Sequence, residues 1–134
     1  MMNRLAHKMA EQPRHLFLID GLGAIVTASL LAFVVAPLEA VFGMPSMVAY
    51  KLATIAIIFA IYSMINYNFS GKGWRKWLRI IASANACYCI ATLVLLLIHW
   101  QVITLVGILY FLGEALIVAA LVVLEYRTAA AKQP

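Results

Sequence analysis

The chain carries five acidic residues, Glu11, Asp20, Glu39, Glu114 and Glu125. Asp20 and Glu114 fall inside long apolar stretches. An ionisable side chain in hydrocarbon is costly and needs a partner, a proton or a water-filled site. Glu114 is the sharper case, with Gly113 beside it and Tyr110 one helical turn away. Its types and spacing suit a proton-exchanging or cation-binding carboxylate. The structural alternative is a Glu114 hydrogen-bonded to Asn85 or to a tyrosine, locking two helices. Asp20 suits a ligand or gating group at the cytoplasmic mouth, paired with Asn66. An interfacial acid at a helix N-terminus, favoured by the helix dipole, is the plainer reading. Glu125, next to Tyr126 and Arg127, reads as an interfacial ion-pair partner. Lys51 is expected to snorkel outward and pair with Glu39.

Other chemistry is not spelled out. Cys87 and Cys89 are two apart on a helix, point to nearly opposite sides and read as buried structural thiols. Without a CxxC, the dithiol chemistry of quinone-linked four-helix disulfide oxidoreductases has no residues to run on. Gly21-Leu22-Gly23 lacks a preceding strand, and Val26 stands where a dinucleotide loop needs its third glycine. No metal cluster and no nucleophile–base–acid set is legible. No metal site, cofactor or catalytic residue is therefore expected. Small multidrug transporters are similar in length and span count, but their key carboxylate belongs at the centre of the first helix. Here the central acid is on the fourth, so the pattern is not theirs.

These residues sit in an unusual composition. The chain has 134 residues, of which 66% are hydrophobic and 11% charged. Soluble domains average about 45–50% apolar and about 25% charged. The mean hydropathy of +0.98 points to an integral membrane protein. A helix needs about 20 apolar residues to cross a bilayer. Four stretches qualify: about 16–36, 47–66, 78–98 and 102–124. The expected fold is all-α, a single four-helix transmembrane bundle. Pro37 closes the first span, Ser46 suits an N-cap for the second, and the segment 70–73 breaks the chain before the third.

Basic residues set the orientation. Arg4, Lys8, Arg14, Lys72, Arg75, Lys76, Arg79, Arg127 and Lys132 fall on one side, which places both termini in the cytoplasm, at a bacterial inner membrane. The net charge of +5 is then a topology signal and predicts no nucleic-acid partner. Tyr67, Phe69, Trp74 and Trp77 read as an aromatic belt beside them. The first helix is expected to stay uncleaved.

Helical spacing groups the polar residues into stripes. Asp20, Gly23, Ala24 and Thr27 share a face of span one. Lys51, Tyr62 and Asn66 share one in span two, opposite Ala49, Ala53, Ala56 and Ala60. Asn85, Tyr88 and Thr92 share one in span three, and Tyr110, Glu114 and Glu125 one in span four. With each stripe facing inward, one polar column runs through the bundle. Asp20, Asn66 and Glu125 lie near its inner mouth and Asn85, Tyr88 and Glu114 near its middle. The small-residue ridges suit close internal packing or contact with a second copy. The leading functional expectation is binding or transport of a small solute, ion or lipid-like ligand. Its site would comprise Glu114, Asn85, Tyr88, Tyr62, Tyr110, Asp20 and Asn66. A non-catalytic scaffold or accessory subunit is the alternative. A small enzyme acting on a lipid or quinone ranks last.

Overall fold

A computed structural model describes residues 2–69 and 71–131. Ser70 and Lys132 lie outside the described residues. Within them every element is helical: α1 (Met2–Glu11), α2 (Pro13–Leu30), α3 (Glu39–Phe42), α4 (Ser46–Phe69), α5 (Trp74–Ile98) and α6 (Leu105–Ala130). One π-helical stretch, Leu31–Val35, extends α2, and a 3₁₀ turn, Gly71–Gly73, leads into α5. Four segments are long and apolar enough to cross a membrane: Pro13–Val35, Ser46–Phe69, Gly71–Ile98 and Leu105–Ala130.

The helix ends differ from the expected spans for local reasons. Pro13 starts α2, where its missing N–H costs nothing. The same helix widens before Pro37, and Ala36 N–H bonds Leu31 O at 2.9 Å, five residues back. Ser46 does not cap α4 with its hydroxyl. That hydroxyl donates to Ala36 O at 2.6 Å, and the Glu39 carboxylate accepts the Ser46 N–H at 3.0 Å. Glu39 thus holds a helix start, where an anion is favoured, rather than pairing with Lys51. The last helix begins at Leu105 because Thr104 is extended and its hydroxyl oxygen accepts the Gly107 N–H at 3.1 Å. Gly107 is required there: an added Cβ would stand 2.0 Å from Phe42 O.

The bundle is built from two pairs. Packing is most extensive between α2 and α4 and between α5 and α6. One end carries α1, the α4–α5 connection and the chain's C-terminal side. The other carries α3 and the turn before α6. At the first end α1 folds back on α6, burying Ala6 and Ala10. Arg75 donates to Ala129 O at 2.7 Å and Arg127 to Asn3 Oδ1 at 3.1 Å. Arg75 therefore closes the C-terminus of α6, which runs to Ala130 rather than stopping near 124. Trp74 is buried with Leu16, Phe17, Leu78 and Ile81 and is not part of a surface belt. Phe69, Trp77 and Trp100 are exposed.

In α4 the small-residue face packs inward, and of the polar stripe Asn66 is buried and Tyr62 half-buried. Ala49, Ala53, Ala56 and Ala60 are buried, and the stripe ends in Ser63. Lys51, Ile55 and Ile58 are exposed. Small residues let α2 and α4 approach closely, and this gain outweighs burying Lys51. Cys87 is likewise exposed rather than buried, and Cys89 is half-buried; both are free thiols.

Candidate functional site

Each long helix brings one buried polar residue to a single point. Asp20 lies on α2 two residues before an exposed Leu22 and on the same face as Gly23 and Thr27. Ser63 ends the alanine stripe of α4. Asn85 lies on the buried stripe of α5 between Ala82 and Tyr88. Glu125 lies in the last turns of α6. All four are buried, with Ser63 and Glu125 at 0% exposure. The Ser63 hydroxyl donates to Asp20 Oδ2 at 2.5 Å. The Asn85 amide donates to Asp20 Oδ1 at 2.9 Å and to Glu125 Oε1 at 3.3 Å. The two carboxyls are near enough to interact directly. Glu125 Oε2 has no hydrogen-bond partner.

Glu125 is therefore no interfacial ion-pair partner. Arg127 turns to Asn3 instead. The helix continues past Glu125, and α1 covers its end. Among the described residues no lysine or arginine pairs with Asp20, Glu114 or Glu125. Two acids thus share one buried amide and one hydroxyl without a cation.

A second polar group lies farther along α6. Tyr88 OH donates to Glu114 Oε1, and the Tyr110 hydroxyl lies near the same carboxyl. Glu114 bonds a tyrosine, as one sequence reading has it, and Asn85 serves the other group. Two separate stations replace the expected continuous column. Tyr62 and Asn66 belong to neither. Tyr62 OH donates to Trp77 O at 2.8 Å, and Asn66 donates to Tyr62 O on its own helix at 2.9 Å.

Between the stations lies a cavity of about 80 Å³. Asp20, Gly23 and Thr27 line it from α2, Asn85 and Tyr88 from α5, and Ile117 from α6. Phe59 of α4 closes its back. Its mouth lies between α2 and α6, which scarcely touch. Gly23 is exposed there, a Cβ added to it would meet nothing within 4 Å, and Ile117 is 73% exposed. Toward the α1 end the site is shut by Leu16, Phe17, Leu78 and Ile81. Toward the α3 end it is shut by Leu31, Val35, Leu52 and Phe111. The larger hollow on the outer flank of α2 and α4, about 520 Å³, is an open apolar groove without an ionisable side chain. Of these two, the smaller cavity is the one lined by ionisable side chains, Asp20 and Tyr88.

Among the described residues no group of three or more His, Cys, Asp or Glu side chains is placed to hold a metal ion. The His99 ring bonds Leu95 O in its own helix at 2.9 Å. The arrangement can accept hydrogen bonds, hold a proton between two carboxyls, or bind a small polar head beside an apolar wall.

Spacing alone isolates Asp20, Asn85, Tyr88, Tyr110 and Glu114, and the structure divides them between the two stations. Ser63 escapes such a reading. The signal that finds it is the alanine stripe leading to it. No protein-family model matches the chain, and no curated protein or solved structure is significantly similar to it.

Proposed function

We propose that this chain is an integral membrane protein that binds a small lipid-like ligand in its core, admitted sideways from the bilayer. One observation carries the reading: a cavity touched by Asp20, Asn85 and Tyr88 opens between α2 and α6, while apolar clusters shut both ends of the bundle. A water-borne solute or ion would need an open end. A lipid-like molecule needs only the lateral gap. Ordinary ligand pockets combine apolar walls with a few placed polar groups, and this cavity has that make-up. The gathering of α1, Arg75, Arg79 and Arg127 at one end supports a cytoplasmic location for that end and both termini.

The test uses two carbodiimides on the protein in phosphatidylcholine vesicles. Dicyclohexylcarbodiimide partitions into the bilayer; a charged carbodiimide stays in water. The lipid-soluble reagent is expected to modify Asp20, which lines the cavity, read by peptide mass, and the water-soluble one is not. Gly23→Leu places a side chain at the mouth, with a Cβ that meets nothing within 4 Å, and is expected to abolish most of this labelling. Equal labelling by both reagents would instead mean a water path and overturn lateral entry. A core inert to both would favour the scaffold reading.

A further inference from the structure

The four carboxyl oxygens of Asp20 and Glu125 are unequally served. Both oxygens of Asp20 accept a hydrogen, Oδ2 from Ser63 at 2.5 Å and Oδ1 from Asn85 at 2.9 Å. Glu125 accepts at Oε1, from the Asn85 amide at 3.3 Å. Its Oε2 has no donor, although the residue is fully buried. A buried polar atom without a partner is rare in folded proteins. The two carboxyls are also within direct reach of each other, and two like charges do not readily persist together in a buried site. One proton answers both demands. From this geometry we infer that Asp20 and Glu125 hold a single proton, carried by Glu125 and donated to Asp20, and that this proton latches α2 to α6 at the foot of the cavity mouth. The place of the proton stands on the cluster alone. Its role at the mouth rests on the lateral-entry reading.

The same donors fix which acid is charged. Ser63 and Asn85 both aim hydrogens at Asp20, and charge-assisted hydrogen bonds are the stronger kind. A proton on Asp20 would occupy an oxygen that already accepts. A proton on Glu125 takes the oxygen nothing else uses and makes it a donor. Neighbouring charged and titratable groups are engaged elsewhere. On α4, Tyr62 donates to Trp77 O. On α5, Tyr88 turns to Glu114, and Arg75 and Arg79 turn to Ala129 O. On α6, Arg127 binds Asn3 and Tyr126 pairs with Ser83. The first helix packs on α6 through Ala6 and Ala10, and its Arg4, His7, Lys8 and Glu11 are exposed.

The pair also sits where the bundle is weakly joined. α2 and α6 scarcely touch. Among the described residues no other side-chain hydrogen bond links them directly. Asp20 lines the cavity, and Gly23 and Ala24 line it about one turn farther along α2. On α6, Leu121 and Val118 line it one and two turns before Glu125. The proton therefore bridges the two helices at one edge of the opening between them. Without it, Asp20 keeps Ser63 and Asn85, and what is lost is the direct tie between α2 and α6.

Two readouts test this on the full chain in phosphatidylcholine vesicles at neutral pH. The infrared difference spectrum between the parent and Glu125→Gln is expected to show a protonated-carboxyl C=O band in the parent. Isotopic labelling of glutamate should shift that band, and labelling of aspartate should leave it. The mouth is read by the distance between nitroxides at Val26→Cys and Leu116→Cys, with Cys87→Ser and Cys89→Ala in the background. Both label positions are exposed and stand beside the cavity-lining Thr27 and Ile117. Glu125→Gln offers an amide hydrogen where the acid offers its proton, and is expected to keep the parent distance. Glu125→Leu fills the space without a donor, and is expected to shift the distribution to longer distances. Labels at Ile90→Cys and Leu112→Cys, across α5 and α6, are expected to hold their distance in every variant. Absence of the band overturns the shared proton, and a band that follows aspartate overturns its place on Glu125. The latch is overturned, with the proton left standing, if Glu125→Leu keeps the parent distance or Glu125→Gln widens as much. Movement of the α5–α6 labels means general loosening and overturns the latch as well. None of these outcomes bears on lateral entry, which the labelling of Asp20 decides separately.

Discussion

The two polar stations differ in how many helices they tie together. The Asp20 station takes one side chain from each of the four long helices and joins the α2–α4 pair to the α5–α6 pair. The Glu114 station joins α5 to α6, which already pack extensively along their length. The first is therefore part of what holds the bundle together where the pairs meet loosely. The second adds one contact to an interface that stands without it. The same contrast holds for the cavity. Asp20 and Asn85 lie directly on its wall, whereas Glu114 is reached through Tyr88.

The comparison is broken most forcefully at Asn85. Asn85→Leu removes the amide that bridges both acids and leaves two buried carboxyls facing each other with one hydroxyl. Losing hydrogen bonds to charged, buried groups is expected to cost about 3 kcal/mol. Equilibrium unfolding in mixed micelles containing dodecyl sulfate, followed by helical circular dichroism, measures it. A loss below that of any variant at the Glu114 station would sink the idea that the four-helix station holds the two pairs together.

Ser63→Ala is a milder break at the same place. It removes one donor from Asp20 and leaves the Asn85 bond at 2.9 Å. The expected loss is about 1–2 kcal/mol, by the same unfolding measurement. Combined with Asn85→Leu it should be non-additive, because both variants act on one carboxyl.

These residues also mark where sequence reading succeeds and where it stops. Intramembrane acids and amides are expensive, so Asp20, Asn85 and Glu114 stand out against an apolar background. Helical spacing places Asp20, Gly23, Ala24 and Thr27 on one face, and all four line the cavity. Serine gives no such signal. Its hydroxyl is commonly satisfied by its own helix, so Ser63 reads as neutral until its partner is known. Glu125 was hidden for a different reason. Its neighbours Tyr126 and Arg127 are what an interface offers, and only the fold-back of α1 over α6 turns that position into core. That fold-back rests on Ala6, Ala10 and Ala129, too small to announce a tertiary contact. The direction of the α4 stripe was likewise open in the sequence. Polar and small faces compete for the interior, and close helix approach decided for the alanines.

The smallest expected effect sharpens the comparison most, because it tests the station that spacing singles out first. Tyr88→Phe deletes the hydroxyl that donates to Glu114 and keeps the ring, which packs edge-on against Phe59 with centroids 6.2 Å apart. Interhelical hydrogen bonds in membrane proteins average about 0.6 kcal/mol. Here the Tyr110 hydroxyl lies near the same carboxyl and can take over part of the contact. The expected loss is therefore about 0.6 kcal/mol or less, at the edge of what unfolding in mixed micelles resolves. The variant also frees the Glu114 carboxyl on its cavity-facing side. Carbodiimide modification of Glu114 should rise while that of Asp20 stays unchanged. If Asp20 modification changed as well, the two stations would be one coupled network through Tyr88 and Asn85, one helical turn apart on α5, and the separation of the two stations would fall.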